Sequence, residues 1–142
     1  IVRVTCHSSV LKKLGWNYGT ANLPAAYLVG FMLGVKAKAA NFKDAVFDIG
    51  INKPVKGSRV YAVLAGALDA GLEVPHGENI LPDKARLSGK HISDYAQKLK
   101  EGEALKKQFG LYIKSNANPD NILKNFEEVK GKIKNIIMVK NG

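Results

Sequence analysis

The chain opens with an alternating run. Ile1–Thr5 sets Val2 and Val4 on one side and Arg3 on the other, the period of a short strand. Gly15 to Pro24 (GWNYGTANLP) is dense in turn formers and predicts a loop. Pro24 then opens a long apolar segment, AAYLVGFMLGVKAKAANF, with the length of a helix. Proline is tolerated in a first turn, where its missing N–H has no intrahelical use, and Asn22 stands close enough to cap it. Gly30 and Gly34 each weaken that helix by about 1 kcal/mol relative to Ala. Their spacing puts both on one face, where another element can approach closely.

From Asp44 to Ile51 the run DAVFDIGI favours β-structure and predicts a buried central strand, followed by an exposed loop, NKPVKGS. The period then changes. Val60, Val63, Leu64, Ala67 and Leu68 form one helical stripe, with Ser58 as its cap and Gly71 as its end. Leu72–Pro75 reads as a short strand and His76 to Gly89 as a loop. HISDYAQKLKE and ALKKQFGLYIKS predict two helices, and Asn118-Pro119-Asp120 starts a last one carrying Ile122, Leu123, Phe126, Val129 and Ile133, with lysines 124, 130, 132 and 134 mostly on its outer side. The strand–helix–strand order predicts an α/β fold, a single small mixed sheet packed with helices, plus C-terminal helices. Residues 1–101 are expected to be the α/β core and 102–142 a helical C-terminal extension.

Charge narrows the function. Twenty-two Lys+Arg against 12 Asp+Glu give a net of +10, and residues 1–59 alone hold nine basic and two acidic side chains. Such a surplus favours a polyanionic partner. Cys6 is the single cysteine, which excludes an internal disulfide and a cysteine-based zinc cage. One thiol fits a reducing cytoplasm, and as a half-buried small apolar side chain it needs no chemistry. No apolar stretch is long enough to span a bilayer, so no membrane partner is expected.

Enzyme signals are weak. GINKPVKGS has the wrong Gly–Gly spacing for a phosphate loop, and its Lys56 precedes the second glycine. No nucleophile elbow is present, and His7, His76 and His91 lack metal-pair spacing. The alternative that remains is a metal-dependent nuclease in which Asp44, Asp48 and Asp69 hold two Mg²⁺. Strand edges and helix ends are also ordinary places for acids, so no catalytic residue and no cofactor is assigned.

RNA binding asks for less geometry. Lys53, Lys56 and Arg59 flank Pro54 and Gly57, so a stiff loop presents three cations to phosphates, joined by Ser58 and the free N–H groups of the helix start. Trp16 and Tyr18, with Asn17, Asn22, Lys12 and Lys13, compose an aromatic loop suited to stacking on unpaired bases, unless Trp16 simply caps the core. Lys84, Arg86, Lys90 and His91 form a third basic loop. A protein-interaction module whose Lys-rich last helix docks an acidic partner is the other rival.

The strings GTANLPAAYLVGFMLGVKA, AVFDIGINKPVKGSRVYAVLAGALDAGLEVPHG, GKHISDYAQKLK and KKQFGLYIKSNANPDNILKNFEEVKGKI resemble the archaeal and eukaryotic L-eighteen ribosomal proteins over nearly the whole chain. The resemblance implies an α/β core that binds 5S rRNA in the central protuberance of the large subunit. It also implies contact with the large-subunit rRNA and with the neighbouring L-five ribosomal protein. Its implied RNA contacts here are Arg3, Asn17 to Asn22, and Lys53 to Arg59. The family's Arg-rich arm and the hairpin after its first strand have no counterpart here. Thr5 runs straight into Cys6, and the chain is expected to lack residues at both places.

Overall fold

A computed structural model describes residues 1–99, 103–115 and 117–140. Among them seven α-helices follow one another: α1 Ser9–Lys13, α2 Leu23–Ala39, α3 Arg59–Asp69, α4 Lys84–Leu87, α5 Lys90–Lys98, α6 Glu103–Lys114 and α7 Ile122–Lys140, the last entered through a 3-10 turn at Pro119–Asn121. The boundary expected at 101/102 lies outside the described residues.

Helix α2 is the centre of the fold. Its sequence is apolar on every side, and Leu23, Pro24, Ala25, Tyr27, Leu28, Phe31, Met32 and Ala37 are all buried. A helix of this kind needs cover all round. Helix α3 covers one face, α7 another, and α4 and α1 the remainder. Asn22 caps α2 as expected, its side-chain oxygen accepting from the Ala25 N–H at 3.0 Å. Asn41, in the left-handed conformation that asparagine tolerates, ends it.

The α2–α3 contact is backbone against backbone. A Cβ on Gly30 would stand 1.9 Å from the Val63 carbonyl oxygen, and one on Gly66 would stand 2.1 Å from that of Tyr27. Gly34 faces Ala67 and Ala70 with similar closeness. The start of α2 meets the start of α3, where Arg59 donates to the Ala21 carbonyl at 2.8 Å, and Lys38 near the end of α2 lies beside Gly71 after α3. The two helices therefore run parallel. Gly71, with φ of +89°, closes α3, and Leu72 donates back to the Ala67 carbonyl.

On the far side, Ile122, Phe126, Val129 and Ile133 of α7 join Leu11, Trp16, Tyr27, Leu28 and Phe31 in the main core. The lysines of α7 do not all face outward. Lys130 Nζ lies 5.0 Å from the Tyr27 ring centre and 5.3 Å from that of Phe31, and Lys134 Nζ lies 5.8 Å over Phe31. Their apolar stems cover the core while the ammonium groups meet ring faces. Ala37, Leu64, Ala67, Leu72 and Val74 form a smaller cluster at the other end of the α2–α3 pair.

The expected mixed sheet is absent among the described residues, and the fold is helical. The segments predicted as strands at 44–51 and 72–75 meet in one parallel bridge, Asp44 to Glu73, with Ala45 N–H donating to the Glu73 carbonyl and Glu73 N–H to that of Lys43, both at 2.9 Å. Beyond it the pairing stops. Val46 is 90% exposed and Ile51 104%, so the run predicted as a buried central strand lies at the surface. Ile1 to Thr5 is likewise unpaired, with Ile1 and Val2 exposed. β-branched composition measures fitness for a half-buried pleated surface, and that fitness counts only when a neighbouring strand supplies the ladder. Here α3 buries its apolar stripe against α2, so no sheet face is needed to cover it.

No helix among the described residues is long and apolar enough to cross a membrane. Cys6 is half-buried against the core, and burial pushes its thiol pKa up, which makes it a poor nucleophile.

Two glycine substitutions should separate close packing from helix propensity. Gly66→Ala should destabilise the fold by about 3 kcal/mol through overpacking against Tyr27 and Phe31. Gly131→Ala, with nothing within 4 Å of the added methyl on α7, should stabilise it by about 0.5–1 kcal/mol. Urea unfolding midpoints of the two variants check both signs.

Candidate nucleic-acid interface

The parallel arrangement places the N-terminal ends of α2 and α3 side by side. Helix starts carry a partial positive charge, so two aligned starts reinforce each other, although at α2 Pro24 has no N–H and that of Ala25 is taken by Asn22. The Arg59 bond to the Ala21 carbonyl holds the 53–59 loop against the 17–22 loop. Gly57 donates its N–H to the Ile80 carbonyl at 3.0 Å, tying the same loop to the segment before α4. A Cβ on Gly57 would stand 3.7 Å from an Arg86 guanidinium nitrogen, and one on Gly89 would stand 3.1 Å from Pro24 Cγ at the start of α2. Burial, then the Arg86 charge, lower the His91 pKa. Three loops distant in sequence thus converge, bringing Arg59, Arg86 and His91 to one face with the starts of α2, α3 and α5.

Two buried polar atoms at this face lack a hydrogen-bond partner, Asn22 Nδ2 and Ser58 Oγ. Ser58 occupies the cap position of α3, yet its side chain makes no capping bond. Such groups each cost roughly 1–3 kcal/mol when left unmade, and a bound ligand that supplies acceptors removes that cost. Lys53 and Lys56 are exposed on the loop that leads in, and Lys90 is exposed at the first turn of α5.

Other predicted contacts lie apart. Lys12 and Lys13 line a separate groove with Lys132 of α7, whose ammonium donates to the Leu14 carbonyl at 3.2 Å. Lys84 lines a groove with Asp69, Glu127 and Lys130, a mixed-charge setting less suited to a phosphate. Arg3 is exposed on the N-terminal segment, and Lys36 secures that segment through the Thr5 carbonyl.

The aromatic loop requires a correction. Trp16 is 2% exposed and Tyr18 5%, so neither ring offers a face for stacking on a base. Trp16 donates its indole N–H to the Gly19 carbonyl at 3.0 Å, and the Tyr18 hydroxyl donates to the Asn118 carbonyl. Asn125 on α7 clamps the loop from both sides, accepting from Asn17 N–H and donating to the Gly15 carbonyl. These rings hold the loop in shape. Asn17 itself remains exposed.

The nuclease alternative also fails. Asp48 accepts from the Gly50 N–H at 2.8 Å, Asp69 accepts from the Tyr27 hydroxyl at 2.6 Å, and the backbone at Asp44 forms the bridge to Glu73. Burial and that carboxylate hold the Tyr27 hydroxyl protonated far above its usual range, so it remains a donor. Among the described residues no three His, Cys, Asp or Glu side chains are placed to hold a metal ion.

Sequence reasoning misses an aromatic group beside the face. Tyr95, Phe109 and Tyr112 fall inside predicted helices, and only their residue type sets them apart from other apolar helix positions. Lys132 likewise has the spacing of an outer-face lysine.

A family model described as "Ribosomal large subunit proteins 60S L5, and 50S L18" matches residues 35–77. The chain is 46% identical over 137 residues to the large ribosomal subunit protein uL18 of Methanococcus maripaludis, covering 96% of this chain and 71% of that protein. It is 45% identical over 130 residues to the large ribosomal subunit protein uL18 of Methanothermobacter thermautotrophicus, covering 92% of this chain and 67% of that protein. Identity of this level over nearly the whole chain settles what the loops and the charge left open: the chain belongs to the uL18 family of large ribosomal subunit proteins, a structural component of the translating ribosome and not an enzyme.

Proposed function

We propose that the chain binds 5S rRNA through the face formed by residues 17–22, 53–59 and 86–91, and helps attach it to the large-subunit rRNA in the central protuberance beside the L-five protein. The observation that carries this reading is the convergence at one place of two aligned helix starts, the guanidinium groups of Arg59 and Arg86, and the unpartnered Asn22 Nδ2 and Ser58 Oγ. Phosphate oxygens supply acceptors and negative charge, which suits the helix starts, the two guanidinium groups and the Ser58 hydroxyl, while the Asn22 amide is a donor for another RNA acceptor. The face belongs to the part read as the core, and α7 braces it, since Asn125 fixes the loop at 15–17. Lys12, Lys13 and Lys132 form a second cationic patch, suited to a separate phosphate run of the large rRNA. Arg3 extends the basic surface along the N-terminal segment.

Only three of the 22 basic residues are arginine, which favours point-charge contact with phosphates over bidentate reading of base edges. The role is mechanical. Cations neutralise phosphates where rRNA segments meet, and the helical core fixes the cations relative to one another.

Replacing Lys53, Lys56 and Arg59 together with Ala should weaken 5S rRNA binding and flatten its dependence on salt. The log–log slope should fall by about 0.9 for each phosphate no longer neutralised, by the duplex-DNA scale. Filter binding across a salt series measures both, and an unchanged affinity and slope would remove this loop from the interface. Trp16→Phe should behave oppositely. It should cost about 1–3 kcal/mol of stability through removal of the indole bond and volume, with 5S rRNA affinity kept within about twofold of the parent.

A further inference from the structure

Beside the proposed RNA face lies a cavity of about 570 Å³ between the 17–22 loop, α5 and α6. Its walls are aromatic. Tyr95 and Phe109 stand 6.1 Å apart at 56°, and Phe109 and Tyr112 stand 6.0 Å apart at 30°. Phe109 is buried, whereas Tyr95 is 48% exposed. Gly19 donates its N–H to the Tyr112 hydroxyl, which fixes the inner wall to the loop. Asn22 and His91 also line the cavity, and Asn22 Nδ2 is the buried donor that lacks a partner. The backbone of α6 departs from helical geometry at Phe109, where φ is −113° and ψ is 18°.

We infer that this cavity receives one unpaired nucleobase of the bound RNA, stacked on Tyr95 and hydrogen-bonded by the Asn22 amide. The inference rests on the RNA-binding reading above and names a subsite within it. Three features favour a base over an apolar side chain. The cavity mouth adjoins the cations: Arg59 bonds to Ala21 next to Asn22, and Arg86 lies near His91. A strand whose phosphates meet those cations brings its bases to the rim. The unsatisfied Asn22 amide needs an acceptor, which a base carbonyl or ring nitrogen supplies and an apolar side chain does not. Aromatic faces take any base, so the site selects for being single-stranded before it selects for sequence.

The test uses the full chain and two probes, decauridylate, whose bases are free of one another, and a ribose-phosphate strand of equal length without bases. The parent should bind decauridylate more tightly than the abasic strand. Tyr95→Ala should lower decauridylate affinity on the order of tenfold, with abasic binding and the salt slope unchanged. Tyr95→Trp should restore affinity, and its added emission should be quenched when decauridylate binds but not with the abasic strand. Equal affinities of the parent for both strands, or equal losses on both in Tyr95→Ala, overturn the base site. So does a Tyr95→Ala chain that binds both strands normally while purified large subunits carrying it lose a neighbouring protein, which would make the cavity a protein-docking site. A parent that binds 5S rRNA but neither strand overturns the base site alone, whereas failure to bind 5S rRNA as well sinks the RNA face itself.

Discussion

The rest of the molecule depends on the glycine-lined contact between α2 and α3. Gly30 and Gly66 leave no room for a methyl group, so the two backbones touch directly and in parallel. A parallel helix pair with so little between its members is rigid, because sliding or tilting either helix meets main-chain atoms rather than adaptable side chains. It also decides what lies at each end. The two helix starts meet at one end, and the segments following the two helices meet at the other, in the bridge between Asp44 and Glu73.

The functional consequence follows from the aligned starts. Loops 17–22 and 53–59 enter the two helices from the same side and are joined by the bond from the Arg59 guanidinium to the Ala21 carbonyl. Cations that belong to separate stretches of chain thereby become one surface. The rest of the core supports that end. Helix α7 buries Phe126 and Val129 against α2, lays Lys130 over Tyr27 and Phe31, and fixes the aromatic loop through Asn125. For a structural protein of the large ribosomal subunit, rigidity of this kind is what the fold supplies: any partner held at this face is located only as well as the groups that hold it.

Much of this was legible in the residues. Asn22 as a cap, Pro24 in the first turn, Gly30 and Gly34 on one face, Gly71 as a stop and the α7 stripe all appear where the spacing put them. Those signals rest on contacts within a few residues. The misread parts rest on distant partners. Trp16 and Tyr18 stand in a loop whose composition suits a binding site, but Asn118 and Asn125, about a hundred residues away, turn the loop inward. Tyr95, Phe109 and Tyr112 carry helical spacing and nothing to mark them as a pocket until α5 and α6 are brought beside the 17–22 loop.

By itself, then, the amino-acid order determined the five longer helices, the Asn22 cap, the basic surplus and, through long matching strings, the ribosomal family, but not the short α1 or α4, the latter lying in a stretch read as loop. Each of these is local or cumulative, and neither kind requires knowing what lies across the fold. The tertiary structure alone decided that the β-favouring runs at 1–5 and 44–51 stay almost unpaired, that two basic loops share one face, and which aromatic rings are core. A strand needs a neighbour's ladder, a surface needs loops brought together, and a ring's exposure depends on what packs over it. All three are properties of contacts between residues far apart in the chain, where a residue's own neighbours in sequence carry no information.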